Sequence, residues 1–310
     1  MTLAFVFPGQ GSQSIAMQAE LAAQFPEVEE TYAQASEELG FDLWQLAQHG
    51  PKEKLDETVV TQPVMMTAGV AAWRVWRSAN GEAPALLAGH SLGEYTALVC
   101  AGVFEFPHAI RLIRRRAELM QQAVPAGEGA MAAVLGLEDD AVLSVCRDAG
   151  QGQVVQAVNF NTPGQVVIAG ARAAVERATE LATNAGARRA LLLSVSVPAH
   201  SDLMQPAAEE LAKALAAADM MAPTIPVISN ADVVAYESVE QIRDGLQRQL
   251  FNPVRWAETI RFMIDHGATK IIECGPGKVL AGLNRRIDKS ITSSCLDSPA
   301  SLATALEQGN

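Results

Sequence analysis

A chain of 310 residues, 49% hydrophobic and 19% charged, carries enough apolar material to bury a large core, which excludes a disordered chain. Its net charge of −12 leaves no basic footprint for nucleic acid or an anionic membrane, and no apolar run approaches the length of a membrane span. Cys100, Cys146, Cys274 and Cys295 lie too far apart for a metal-type pair and are expected as free thiols of a reducing cytoplasm.

Residues 3–7 form a continuous apolar run that reads as a buried first strand, without the basic flank of a signal peptide. The turn Pro8-Gly9-Gln10-Gly11-Ser12-Gln13 follows, and a helix is expected through Met17, Leu21 and Phe25. This turn lacks the third glycine of the dinucleotide fingerprint, so it is read as bringing a backbone N–H close to a reacting oxygen. Residues 27–60 read as helices with polar turns, with Leu39, Phe41, Leu43, Trp44 and Leu46 facing the core. Thr61-Gln62-Pro63 then opens a helix over residues 64–76 that is apolar on all sides and therefore buried.

Residues 86–89 are a short strand, and helical spacing resumes after Gly93. Between them stands Gly89-His90-Ser91-Leu92-Gly93, the Gly-x-Ser-x-Gly of a nucleophile elbow. A serine on so sharp a strand-to-helix turn leaves no room for side chains two positions to either side. The turn also aims its hydroxyl at a helix N-terminus, where free N–H groups favour developing negative charge.

Pro107 begins another helix. At about 100° per residue, Ala109, Ile110, Ile113, Ala117, Met120, Ala123 and Val124 make one apolar stripe, with Arg111, Arg114 and Arg115 opposite. Arg116 falls inside the stripe. A guanidinium turned to the core requires an anion, either an internal carboxylate or that of a substrate, and the helical pattern favours neither.

Pro125-Ala126-Gly127-Glu128-Gly129 interrupts the chain. Strands over residues 130–135, 154–159, 165–169 and 188–195, with helices over 139–149 and 171–185, then give the order β-α-β-β-α-β of a ferredoxin-like unit. The expected organisation is α/β: a large domain of residues 1–126 and 197–310 with a mostly parallel sheet, and an inserted ferredoxin-like subdomain of residues 127–196. In the returning segment a strand is expected over 224–229, helices over 238–250 and 254–266, and strands over 271–274 and 291–296, followed by a short helix. Gly275-Pro276-Gly277-Lys278 is not a phosphate-binding loop of the Walker type, because Ile272 and Val279 stand where Gly and Ser or Thr belong.

A serine nucleophile needs a base. His90 adjoins Ser91 and should point away from it, His49 and His266 precede glycine at helix ends, and His108 lies in a first helical turn. His200 alone lies at a strand-to-helix loop, where active-site residues gather in open α/β sheets, and is the candidate base. Its orienting partner is either Asp202 or a backbone carbonyl accepting from Nδ1.

Phe7-Pro8-Gly9-Gln10-Gly11-Ser12-Gln13, Gly89-His90-Ser91-Leu92-Gly93-Glu94-Tyr95, Val197-Pro198-Ala199-His200, Asn252-Pro253-Val254-Arg255-Trp256 and Gly275-Pro276-Gly277-Lys278-Val279-Leu280 resemble, in this order and almost end to end, the bacterial malonyl-CoA:acyl carrier protein transacylases. The resemblance implies a hydrolase-like α/β domain with a ferredoxin-like insert. It implies that Ser91 takes the malonyl group from coenzyme A and passes it to the pantetheine thiol of acyl carrier protein, with His200 as base. The backbone N–H groups of Gln10 and Leu92 would hold the oxyanion, Arg116 the malonyl carboxylate, and the Gln249 carbonyl the histidine. Gln62 and Asn161 match positions near the pocket, and leucine at position 92 is what malonyl-selective relatives carry.

The same resemblance implies a coenzyme A thioester as substrate, no tightly bound cofactor, no metal, and a cytoplasmic enzyme of fatty-acid synthesis. Acyl carrier proteins are acidic, so docking requires a local basic patch, for which Arg111, Arg114, Arg115, Arg188, Arg189, Lys278, Arg285 and Arg286 are candidates. A serine esterase or thioesterase is the alternative, although it would have no use for Arg116.

Overall fold

Alternation along the first strand sets the layers of the molecule. In the computed structural model, which describes residues 2–195 and 197–309, Leu3, Phe5 and Phe7 of β1 (Thr2–Phe7) point into one apolar core, and Ala4 and Val6 point into another. A strand buried on both faces must lie inside a covered sheet. The first core takes in α1 (Ala19–Ala22), α2 (Glu27–Leu39), α3 (Leu43–His49), α4 (Lys52–Leu55) and α5 (Thr58–Ser78). β2 (Leu86–Gly89), α6 (Leu92–Cys100) and α7 (Phe106–Ala123) follow.

The chain then forms β3 (Gly129–Leu135), α8 (Asp139–Gly150), β4 (Val155–Thr162), β5 (Gln165–Ala171), α9 (Arg172–Asn184) and β6 (Arg189–Leu192). A 3-10 turn (Asp202–Met204), α10 (Gln205–Ala217), β7 (Val227–Ile228), α11 (Val239–Gln249), α12 (Trp256–Asp265), β8 (Ala268–Glu273), α13 (Val279–Ile287), β9 (Thr292–Cys295) and α14 (Pro299–Gly309) complete it. No helix among the described residues is long and apolar enough to cross a membrane.

The large sheet is parallel throughout, in the order β7-β2-β1-β8-β9. The second sheet is antiparallel, in the order β4-β5-β3-β6, and packs α8 and α9 on one face around Val142, Val145, Ala174 and Ala178. With the helices placed between β3 and β4 and between β5 and β6, this is the ferredoxin-like arrangement. The antiparallel sheet is stitched to the segment between α11 and α12 at Val254: its N–H donates to the Val158 carbonyl at 2.9 Å, and its own carbonyl accepts from the Phe160 N–H at 3.0 Å.

Several expected elements differ in extent. The helix through Met17 and Phe25 shrinks to the four residues of α1, because Ala16 and Gln18 adopt positive φ. α5 starts a turn earlier than expected and holds Pro63 inside it, with the Thr61 hydroxyl bonded back to the Leu55 and Glu57 carbonyls. The strand at 224–229 retains only β7, and the one at 188–195 only β6. The expected subdomain end at Ser196, with Met1 and Asn310, lies outside the described residues.

Candidate active site

The carboxyl ends of three neighbouring strands, β7, β2 and β1, meet at Ser91. This residue turns the chain from β2 into α6 with φ 54° and ψ −112°, a conformation rarely held by a residue with a Cβ. Close packing enforces it. A Cβ at Gly89 would stand 1.8 Å from the Gly93 carbonyl carbon, and one at Gly93 would stand 2.1 Å from the Phe7 oxygen. The Asn230 side chain completes the clamp, its Oδ1 accepting the Ser91 N–H at 2.8 Å and its Nδ2 donating to the Gly89 carbonyl at 2.6 Å. Asn230 stands just past the end of β7, the ladder neighbour of β2, so its amide supplies the rung that the departing backbone cannot. Gly93→Ala is expected to lower folding stability by about 3 kcal/mol, read from the thermal unfolding midpoint, because backbone rather than a yielding side chain blocks the new methyl.

Ser91 Oγ lies 2.7 Å from His200 Nε2, and His200 Nδ1 lies 2.7 Å from the Gln249 carbonyl. A carbonyl only accepts, so Nδ1 carries the hydrogen and the lone pair of Nε2 faces the serine. Gln249 ends α11, where the last carbonyls lack intrahelical donors; His200 takes two of these carbonyls, since its own N–H donates to Leu250 at 2.9 Å. Asp202 is engaged by Gln156 instead, so the carbonyl and not the acid orients the imidazole. Burial pushes His200 down to about 3, with the Arg116 charge adding to the shift. His90 turns away to bond Asn161 Oδ1 at 2.9 Å.

Arg116 is only 1% exposed on α7. Its Nη1 donates to Gln62 Oε1 at 2.7 Å, and its Nη2 to Gln249 Oε1 at 2.9 Å and to Ser91 Oγ at 3.3 Å. The guanidinium lies 5.4 Å from the centre of the Tyr95 ring. No carboxylate among the described residues forms a direct salt bridge with it. Behind it, Gln249 Nε2 donates to Glu94 Oε2 at 2.8 Å and to the Ser91 carbonyl at 2.9 Å. Glu94 also accepts from the Tyr236 hydroxyl and, at 3.2 Å, from the Asn230 N–H. Burial pushes its carboxyl up to about 7 against the pull of these donors and of Arg116.

A cavity of about 380 Å³ opens over these groups, lined by Gln10, Gln62, Ser91, Leu92, Arg116 and His200 from the large unit and by Met131 and Asn159 from the antiparallel sheet. Gln249 and Asn161 do not line it; they brace Arg116, His200 and His90 from behind. The segment 193–195 forms part of its rim. Glu94, Asn230, Tyr236 and the Gln249 side chain have no assigned part in the sequence reading. Their signal is the placement of polar residues among buried apolar ones: Glu94 beside Tyr95, Ala97 and Leu98, and Asn230 two residues after the Val227-Ile228 pair.

Residues 4–298 match the acyl transferase domain family. The malonyl CoA-acyl carrier protein transacylase of Escherichia coli strain K12 is 55% identical over 304 residues, covering 98% of each chain. The chain belongs to the malonyl CoA-acyl carrier protein transacylase family. A solved acyl carrier protein S-malonyltransferase of this family from Vibrio cholerae superposes with a TM-score of 0.96 at 57% identity, covering 98% of this chain and 99% of that one. A malonyl-transacylase solved in complex with its type II PKS acyl-carrier protein gives 0.98 at 52% identity over 99% and 100% of the two chains. The shared transacylase fold therefore includes both sheets.

Proposed function

We propose that this transacylase moves a malonyl group from coenzyme A to the phosphopantetheine thiol of acyl carrier protein, through an ester on Ser91. The observation that carries the reading is Arg116: a buried guanidinium, within 3.3 Å of the nucleophile and with no carboxylate in direct contact among the described residues, at the floor of a cavity sized for a short acyl chain. A malonyl carboxylate supplies the missing anion and sets the thioester carbon against Ser91 Oγ.

His200 Nε2 takes the serine proton as Oγ bonds to the thioester carbon, and the backbone N–H groups of Gln10 and Leu92 receive the oxyanion. The Ser91 N–H is already spent on Asn230, which leaves Leu92 as the donor at the helix start. Collapse breaks the C–S bond, and His200 returns its proton to the coenzyme A sulfur. In the second half the pantetheine thiol gives its proton to His200, attacks the ester, and Ser91 leaves with that proton.

No resident cofactor or metal enters these steps, and the cytoplasm, where coenzyme A esters and carrier proteins meet, is the compartment the reading requires. Of the basic residues proposed for docking, Arg111 pairs with Glu38, and Arg114 and Arg115 with Glu118. Arg188 and Arg189 lie at the start of β6, close in sequence to the 193–195 rim.

Intact-mass measurement after mixing with malonyl-CoA is expected to give a lasting malonyl adduct that holo acyl carrier protein clears. Free malonate without adduct or transfer would identify a thioesterase instead. In the same assay Arg116→Ala lowers malonyl loading by about a hundredfold or more, because the substrate carboxylate loses a buried charged partner. Acetyl loading, which has no carboxylate to place, falls far less. Arg116→Lys rescues little, since an ammonium lacks the planar fork.

A further inference from the structure

Glu94 is a fully buried carboxylate that takes no part in the steps above. Its surroundings have a defined polarity: Tyr236, Gln249 and the Asn230 backbone all donate to it. Gln249 links it to Arg116. An arginine only donates and an ionised carboxylate only accepts, so the amide between them has one orientation, oxygen to Arg116 and nitrogen to Glu94. The guanidinium and the carboxylate thus form an ion pair bridged by one amide, anchored a third time where the same Nε2 reaches the Ser91 carbonyl.

We propose that Glu94 is a positioning residue for malonyl recognition, holding Arg116 in its substrate-ready geometry through the side-chain amide of Gln249. This rests on the transacylase reading of the site. The bridge does two things that a direct salt bridge would not. It balances the Arg116 charge while the site is empty, which makes burial of an unpaired cation tolerable. It also leaves the cavity side of the guanidinium available, because the counter-charge sits one amide behind it. Without Glu94 the Gln249 amide loses the charged one of the contacts that keep its oxygen towards Arg116, and the fork that receives a carboxylate is held less firmly at one of its two ends, the other being Gln62.

The test is single-turnover loading of Ser91 from malonyl-CoA and from acetyl-CoA at pH 8, for the wild type, Glu94→Gln, Gln249→Met and the double variant. Glu94→Gln is expected to reduce the malonyl-over-acetyl preference about tenfold or more, mainly through a higher KM for malonyl-CoA, the size of one charge-assisted hydrogen bond. Gln249→Met keeps the backbone carbonyl that orients His200 and should reduce the preference to a similar extent. The double variant should be no worse than either single one, since both remove the same bridge. An unchanged preference in the single variants, or equal losses with both thioesters, overturns the proposal; equal losses would mark general damage to the fold. If Glu94→Gln does not fold, Gln249→Met decides alone by the same criterion. A wild type that fails to load malonyl would overturn the transacylase reading itself, a result separate from either.

Discussion

Ser91→Ala is expected to abolish the malonyl adduct and to lower the rate of transfer to acyl carrier protein by about five orders of magnitude. Among the described residues Ser91 Oγ alone is aimed into the cavity with a base at 2.7 Å, and the turn that aims it is held by Gly89, Gly93 and Asn230 whatever the side chain at 91. The loss should therefore fall on kcat. Arg116 and Gln62 remain in place, so malonyl-CoA still binds, and calorimetry on the variant should give an affinity close to that of the wild type. No thiol stands ready to substitute: burial pushes the Cys100 and Cys274 thiols well above their ordinary value, Cys146 up to about 12 and Cys295 up to about 11. An adduct persisting on the alanine variant would mean that a different side chain is the nucleophile.

The parts of this site that were legible in the sequence are those fixed by local geometry. Gly89 and Gly93 bracket Ser91 because steric exclusion acts within five residues, and Arg116 declared itself by breaking an apolar stripe on one helix. The β-α-β-β-α-β order was readable because each element of the antiparallel sheet has its own period and turn. The orienting role of Gln249 came only through family resemblance, since a backbone carbonyl leaves no mark on residue type. Asn230 and Tyr236 bond to residues more than a hundred positions away, and such pairings have no local pattern. The strand expected over 224–229 was overestimated for a related reason: past Ile228 the elbow has already taken β2 away from its partner.

His200→Ala is expected to slow loading from malonyl-CoA by about four orders of magnitude, the upper range for loss of a positioned base. Its pH dependence separates this base from an ordinary histidine. With the imidazole pushed down to about 3 by burial and the Arg116 charge together, lowering the pH through 6.5 does not protonate it in the empty site. The deprotonated form accepts the Ser91 proton, so the rate should stay level as pH falls from 8 to about 5, and decline only as the depressed pKa is approached. Acetyl-CoA is the appropriate probe, because it places no carboxylate on Arg116 and is indifferent to the titration of Glu94 near 7. A limb centred near 6.5 in the wild type, absent from His200→Ala, would mean that the imidazole is solvated during loading. The opposite result, a level profile that ends with the histidine removed, ties the base to the buried end of α11, where one helix-terminal carbonyl holds the ring, a second accepts the backbone N–H, and one ring nitrogen is left for the serine.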